Sequence, residues 1–150
     1  MTEPPAMIHL DPADTLLGLK AATKPALLRH LAHHAAARTG HDAATLFALL
    51  QAREALGSTG IGRGVAVPHA RTPGIAAPFC CFCRLDRPIP FDAIDSAPVD
   101  LALLLLTPAD ADAGHLALLS AAARRLREPA TAAELRHATD PATILRLLSR

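Results

Sequence analysis

Apolar and polar residues follow two different periods along this chain, and the change falls at a glycine-rich stretch. In "TKPALLRHLAHHAAARTG", Leu27, Leu28, Leu31, Ala35 and Ala36 recur at helical spacing. Thr23 is placed to cap this helix, Pro25 suits its first turn, and Gly40 ends it. An N-terminal segment to about Lys20 precedes it. A second helix follows directly, with Asp42 as cap, Leu46, Leu49 and Leu50 facing inward, and Gly57 as its stop. Past the glycines the runs are short, apolar and punctuated by proline. Residues 65–67, 79–85 and 99–106 read as buried strands. "RPIPFDAIDSAP", between the last two, is turn-rich and predicts a short edge hairpin. Helical spacing returns at 112–127. It returns again from Thr131, where Thr131 and Glu134 match a capping box, and from Asp140, with Pro141 in the first turn. Helices, strands, then helices predict an α/β sandwich with a central mixed β-sheet flanked by helices. With no internal repeat and no linker, residues 1–150 are expected to form one domain, its core at about 10–149.

Composition narrows the function. The chain has 150 residues, 51% of them hydrophobic and 19% charged, with a mean hydropathy of +0.25, values that argue for a packed core. Fifteen basic residues nearly balance fourteen acidic ones, and aromatics make up 3% with neither Trp nor Tyr. A nucleic-acid binder needs a positive field and stacking platforms, so nucleic acid is excluded as a direct ligand. The N-terminus lacks a basic start followed by an apolar stretch, and no apolar run nears the roughly 20 residues of a membrane helix. Cys80, Cys81 and Cys83 are odd in number and crowded together, which suits reduced thiols. A soluble, cytoplasmic protein without membrane insertion is expected.

"GSTGIGRGVAVPHAR", residues 57–71, is where chemistry is concentrated. "GIGRG" is not a dinucleotide loop, because that fingerprint needs a strand before it and a helix after it; here the order is reversed. His30 and His34 have zinc-binding spacing, but neither a third ligand nor an HExxH glutamate accompanies them, so a solvated helix face is expected. On a strand, Cys81 and Cys83 share one face and Cys80 points to the other, which fits small buried hydrophobes. His69 differs. It follows Pro68 at the end of a short strand, on backbone that Pro68 stiffens. Such a histidine suits nucleophilic work, with one ring nitrogen free and the other held by an acceptor. Spacing alone leaves two readings open, a nucleophile or a satisfied structural histidine. Arg53, near the end of the second helix, is placed to set a guanidinium beside an anion, or to serve only as a C-terminal helix charge. His115, in the first turns of the helix after "LLLLTPADADAG", is placed to donate to a phosphoryl oxygen, or to be a polar cap-region residue.

Taken together these motifs resemble a known family. "REALGSTGIGRGVAVPHAR" resembles the active-site stretch of the fructose/mannitol-class IIA proteins of the sugar phosphotransferase system. "PIPFDAIDSAPVDLALLLLTPADADAGHL" is more narrowly similar to their nitrogen-regulatory branch. The resemblance runs from about Leu10 to the C-terminus. It implies the family's fold and a phosphoryl group accepted on His69 (as tele-phosphohistidine) from an HPr-like phosphocarrier protein. It further implies phosphoryl stabilisation by His115 and charge neutralisation by Arg53, with no metal or organic cofactor. The partners implied are that carrier and regulated target proteins, with kinases and potassium transporters as candidate classes. Arg63 departs from the pattern, since relatives often carry Asn there, and it adds positive charge beside the expected docking surface. Three functions follow as alternatives: a regulatory phosphocarrier, a sugar-specific IIA that passes the phosphoryl group to a transporter IIB domain, and a binding module that keeps only the fold. Phosphoryl transfer between histidines needs in-line approach and charge stabilisation and little other covalent chemistry.

Overall fold

The computed structural model describes residues 8–149; the first seven residues of the stretch read for a targeting segment lie outside them. Among the described residues, six strands and five α-helices follow a short 3-10 turn at Pro12–Asp14. The strands are β1 (Thr15–Leu19), β2 (Gly60–Gly62), β3 (Val65–Ala66), β4 (His69–Thr72), β5 (Phe79–Ile89) and β6 (Val99–Pro108). The helices are α1 (Lys24–Thr39), α2 (Ala43–Ala55), α3 (Asp112–Arg127), α4 (Pro129–His137) and α5 (Pro141–Leu148). The sheet runs β1-β5-β6-β3-β2, with β4 also on β6. It is mixed: β1 is parallel to β5, β5 antiparallel to β6, β3 and β4 parallel to β6, and β2 antiparallel to β3.

Two apolar layers sandwich the sheet. Alternate residues of β6 supply both, Leu104 and Leu106 to one face and Leu103 and Leu105 to the other, as expected of a strand covered on two sides. The first face packs on Leu27, Leu31 and Leu46 of α1 and α2. The second packs on Leu118, Leu135 and Ile144 of α3, α4 and α5. Cys81 and Cys83 join the first layer and Cys80 the second, all three buried, reduced and among apolar neighbours. Burial pushes the Cys80 and Cys83 thiols up to about 12, and Cys81 higher still.

The caps read from the sequence hold at α1 and α2, and Asp140, read as the start of the last helix, caps α5. The Thr23 hydroxyl accepts from Ala26 N, and the Asp42 and Asp140 carboxylates accept from Thr45 N and Thr143 N. Gly40 closes α1 in the left-handed conformation at φ 76°.

Four expectations need correction. The stretch 87–98 holds no hairpin: β5 runs on to Ile89, and the rest is loop, tied down through Phe91 and Asp95. Thr131 is not a cap. Pro129 takes an opening position of α4 after Glu128, and the Thr131 hydroxyl, already inside the helix, donates back to Glu128. His34 is not merely solvated, because its Nε2 lies 2.8 Å from the buried carboxylate of Asp14, which also accepts from Arg38. His69 does not end a strand but opens β4. Val65 pairs with Leu101 and His69 with Leu105 at the same offset, so β3 and β4 form one line along β6, broken at Val67 and Pro68. Pro68 has no N–H to give the ladder, although its carbonyl still accepts from Leu105 N.

That break matters because β2 folds against β3 and brings Thr59 beside it. Val67 N donates to Thr59 O at 3.0 Å instead of to β6. Glycine is required at Gly60, where a Cβ would lie 2.7 Å from Cβ of Ala93 and 2.9 Å from its Cα. Gly64 adopts φ 81°, and a Cβ there would lie 2.7 Å from the Arg136 guanidinium. Arg136 pairs with Asp100 and donates to Arg63 O, fastening α4 to the glycine stretch.

Candidate functional site

The break in the β3–β4 line turns the Val67 carbonyl toward the side chain two residues on. Nδ1 of His69 lies 2.8 Å from Val67 O. A carbonyl only accepts, so Nδ1 carries the proton. Nε of Arg53 lies 3.1 Å from His69 Nε2. A guanidinium only donates, so Nε2 presents a lone pair. These two neighbours of opposite polarity fix the neutral Nδ1–H tautomer and leave Nε2 as the basic, nucleophilic atom.

Arg53 reaches the ring from the last turn of α2, and its Nη1 donates to Gly57 O at 2.8 Å. The glycine stretch thus orients the guanidinium as it leaves the helix. His115 comes from α3, as its fourth residue, and the first turn of that helix has no side-chain cap. Its ring centroid lies 5.3 Å from that of His69, with the planes inclined by 53°. The buried Thr107 hydroxyl lies 2.5 Å from His115 Nδ1 and fixes the second ring. Arg71, in β4, pairs with Asp112 in the first turn of α3.

Both imidazoles are nearly inside the protein, 7% exposed for His69 and 6% for His115. Burial holds the His69 pKa below the usual histidine value; the Arg53 charge adds to this, and the Val67 hydrogen bond opposes it. Burial, then His69 and Arg71, hold His115 down as well. Two neutral imidazoles and a guanidinium around one lone pair make a site for an electrophile that arrives with negative charge. Among the described residues no group of three His, Cys, Asp or Glu side chains is placed to hold a metal ion.

Arg53, His69 and His115, singled out from sequence, therefore meet in space although they come from α2, β4 and α3. Arg63 is exposed in a left-handed turn at φ 57°, with its amide on Asp95. That conformation suits Asn better than most residues. Glu54, Thr107 and Arg71 were not legible as part of the neighbourhood, because nothing in their local sequence marks the residues they meet across the fold.

Comparison with known proteins decides the family. Residues 8–150 match the family described as "Phosphoenolpyruvate-dependent sugar phosphotransferase system, EIIA 2". The chain belongs to that family. Within it, the chain is 43% identical over 138 residues to a nitrogen regulatory protein of Bradyrhizobium diazoefficiens, covering 92% of this chain and 90% of that one. It is 43% identical over 111 residues to a nitrogen regulatory protein of Pseudomonas aeruginosa, covering 73% and 72%. The crystal structure of nitrogen regulatory protein IIA-Ntr from Neisseria meningitidis superposes with a TM-score of 0.89 at 31% identity, over 93% of this chain and 95% of that one. The mannitol IIA protein of Escherichia coli shares the fold, with a TM-score of 0.78 at 21% identity over 95% and 100%. The EIIA fold and the likeness to the nitrogen-regulatory branch are thus both borne out. No described helix of this EIIA protein is long and apolar enough to cross a membrane.

Proposed function

We propose that this EIIA protein is a regulatory phosphocarrier, phosphorylated at Nε2 of His69 by an HPr-like carrier and read by target proteins through its phosphorylation state. The observation that supports it most is the opposite polarity of the two groups on the His69 ring, a carbonyl on Nδ1 and a guanidinium on Nε2. The N–P bond of the carrier's phosphohistidine breaks, its electron pair staying on the carrier nitrogen, as the His69 Nε2 lone pair bonds to phosphorus. Arg53 gives up its contact with Nε2 and takes a phosphoryl oxygen instead. His115 holds another oxygen, and Val67 O keeps the Nδ1 proton while the ring gains positive character. The new group brings about −1.5 to −2 charge to a face that was neutral imidazole, and this change is the signal. The role belongs to a cytoplasmic protein acting as a single domain, with kinases and potassium transporters as candidate target classes.

A sugar-specific role is the second reading. A fructose-specific EIIA component of Haloferax volcanii is 36% identical over 114 residues, 76% of this chain and 73% of that one. In that role the same phosphoryl group passes on to a transporter IIB domain.

Intact mass after incubation with phosphoenolpyruvate, the upstream enzyme and the organism's HPr-like carrier tests the proposal. One added phosphoryl group, absent in His69→Ala, is expected. A carrier that phosphorylates another IIA protein but not this one contradicts it. Rapid discharge of the phosphorylated chain to a cysteine of a IIB domain favours the sugar-specific reading.

A further inference from the structure

Glu54 follows Arg53 in α2, and its side chain is almost wholly buried, 6% exposed, against Lys24. We propose that Glu54 is a positioning residue for His69, holding the imidazole in its orientation and tautomer through Thr59 and Val67 without touching the phosphoryl group. This rests on the reading of His69 as the phosphoryl acceptor.

The links are continuous and all point one way. His69 Nδ1–H donates to Val67 O at 2.8 Å. Val67 N–H donates to Thr59 O at 3.0 Å. Thr59 N–H donates to the Glu54 carboxylate at 3.1 Å, and the Thr59 hydroxyl bonds the same carboxylate. Thr59 is thereby held at its amide, its hydroxyl and its carbonyl, and it is the residue that takes the Val67 amide where β3 leaves β6. Without that hold Val67 is free to rotate, and with it the carbonyl that keeps the proton on Nδ1.

The carboxylate is itself framed. Lys24 Nζ lies 2.6 Å from it, 4.6 Å over the Phe91 ring and 3.4 Å from Phe91 O. The Ser58 hydroxyl donates to that carbonyl at 2.8 Å and accepts from Gly60 N. One buried charge pair thus gathers the start of α1, the end of α2, the glycine stretch and the loop after β5. A pair that only stapled α1 to α2 would not need Thr59. The negative charge of Glu54 also favours positive character on the His69 ring, the state that phosphorylation creates.

The test uses the full chain and two readouts. Long-range 1H–15N spectra of the unphosphorylated protein report which imidazole nitrogen carries the proton, and carrier-dependent phosphorylation reports the rate. In Glu54→Ala, His69 is expected to show both tautomers, with phosphorylation slower by on the order of a hundredfold. Thr59→Val, which keeps both backbone links and loses only the hydroxyl contact, should move both readouts the same way and less far. Glu54→Gln keeps a carbonyl acceptor for Thr59 and is expected to retain the single tautomer and a rate within about tenfold of the parent. Thermal melts identify any variant that fails to fold; should Glu54→Ala unfold, Glu54→Asp, whose shorter side chain draws the carboxylate back from Thr59, carries the decision with the same two changes expected. A folded Glu54→Ala or Glu54→Asp that keeps one tautomer and the parent rate overturns the assignment. Should the parent protein take no phosphoryl group from an active carrier, the proposed function fails, and the tautomer comparison still decides the role of Glu54.

Discussion

Arg53 Nε donates to His69 Nε2 across 3.1 Å, so the guanidinium rests on the lone pair that the proposed phosphoryl transfer would use. An arginine in that position does two things. In the resting protein it keeps protons off Nε2, because its charge works against a second positive charge beside it. In the proposed transfer it turns to the incoming phosphoryl oxygens, which replace the ring nitrogen as its acceptor.

Replacing Arg53 by Met therefore has two measurable consequences. The His69 pKa, followed by NMR titration, should rise toward the ordinary histidine value. The phosphorylation rate should fall by about a hundredfold or more. Lysine at this position should recover only part of the rate, since it lacks the planar fork that donates from Nε and Nη1 at once. An unchanged titration would show that the contact with His69 is not kept in solution.

His115 is expected to act on the phosphoryl group and not on the fold. His115→Ala should melt within a few degrees of the parent. It should be phosphorylated more slowly by on the order of a hundredfold, or lose its phosphoryl group sooner. Thr107→Val, which removes the hydroxyl fixing the second ring, should move both quantities in the same direction and less far. Normal rate and normal lifetime in His115→Ala would remove His115 from the mechanism.

The two depressed histidine pKa values set a pH dependence whose sign can be worked out. Each ring is neutral in the folded protein at pH values where the unfolded chain, with pKa about 6.5, already binds a proton. In that window the unfolded state holds more protons, so stability falls as pH drops from about 6.5 through the lower folded values. Chemical denaturation between about pH 7.5 and pH 5 should show the fall, smaller in a His69→Gln variant. If the neutral His69 ring is the nucleophile, as proposed, the phosphorylation rate should stay level until the pH drops below that same point. A rate that halves near or above pH 6.5 contradicts the depressed value.

Gly60 and Gly18 separate steric need from backbone need. At Gly60 a Cβ strikes the Ala93 backbone, which cannot move out of its way as a side-chain tip does. Gly60→Ala should cost about 1–3 kcal/mol in urea denaturation and slow phosphorylation, because it displaces the strand next to Thr59. At Gly18 the φ of 78° is left-handed, but nothing lies within 4 Å of the added methyl. Gly18→Ala should cost about 1–2 kcal/mol and leave phosphorylation as it was. Equal loss of activity in both variants would argue against a special role for the packing at Gly60.

The three thiols are expected to be inert while the protein is folded. With Cys80 and Cys83 held up to about 12 and Cys81 above them, almost no thiolate forms near neutral pH. Iodoacetamide at pH 8 should label none of them in the native protein and all three in urea, counted by intact mass. Labelling of one native thiol would point to an opening of β5.

How much of this was written in the sequence depends on the range of each signal. Helix starts with a side chain three residues before a waiting amide were legible, as at Thr23, Asp42 and Asp140, because cap and partner are local. Thr131 matched the same local rule and was overridden by Pro129, a stronger start signal two residues earlier. β1 escaped notice because Gly18 bends it and its partner β5 lies far along the chain. β2 is too short to show a period, whereas β3 was legible as the apolar run 65–67. At the site, the motif residues Arg53, His69 and His115 were legible through family resemblance. The Val67 carbonyl, the Thr107 hydroxyl and the Glu54–Thr59 contact were not, since backbone orientation and contacts across the fold leave no mark on residue spacing.

The account stands on Nε2 of His69 as the atom that takes the phosphoryl group. Phosphorus–nitrogen coupling in uniformly 15N-labelled, carrier-phosphorylated protein measures this directly. The account predicts one acid-labile phosphorus coupled to Nε2, with the proton still on Nδ1 and bonded to Val67 O. Phosphorus on Nδ1, or on any residue other than His69, would contradict it.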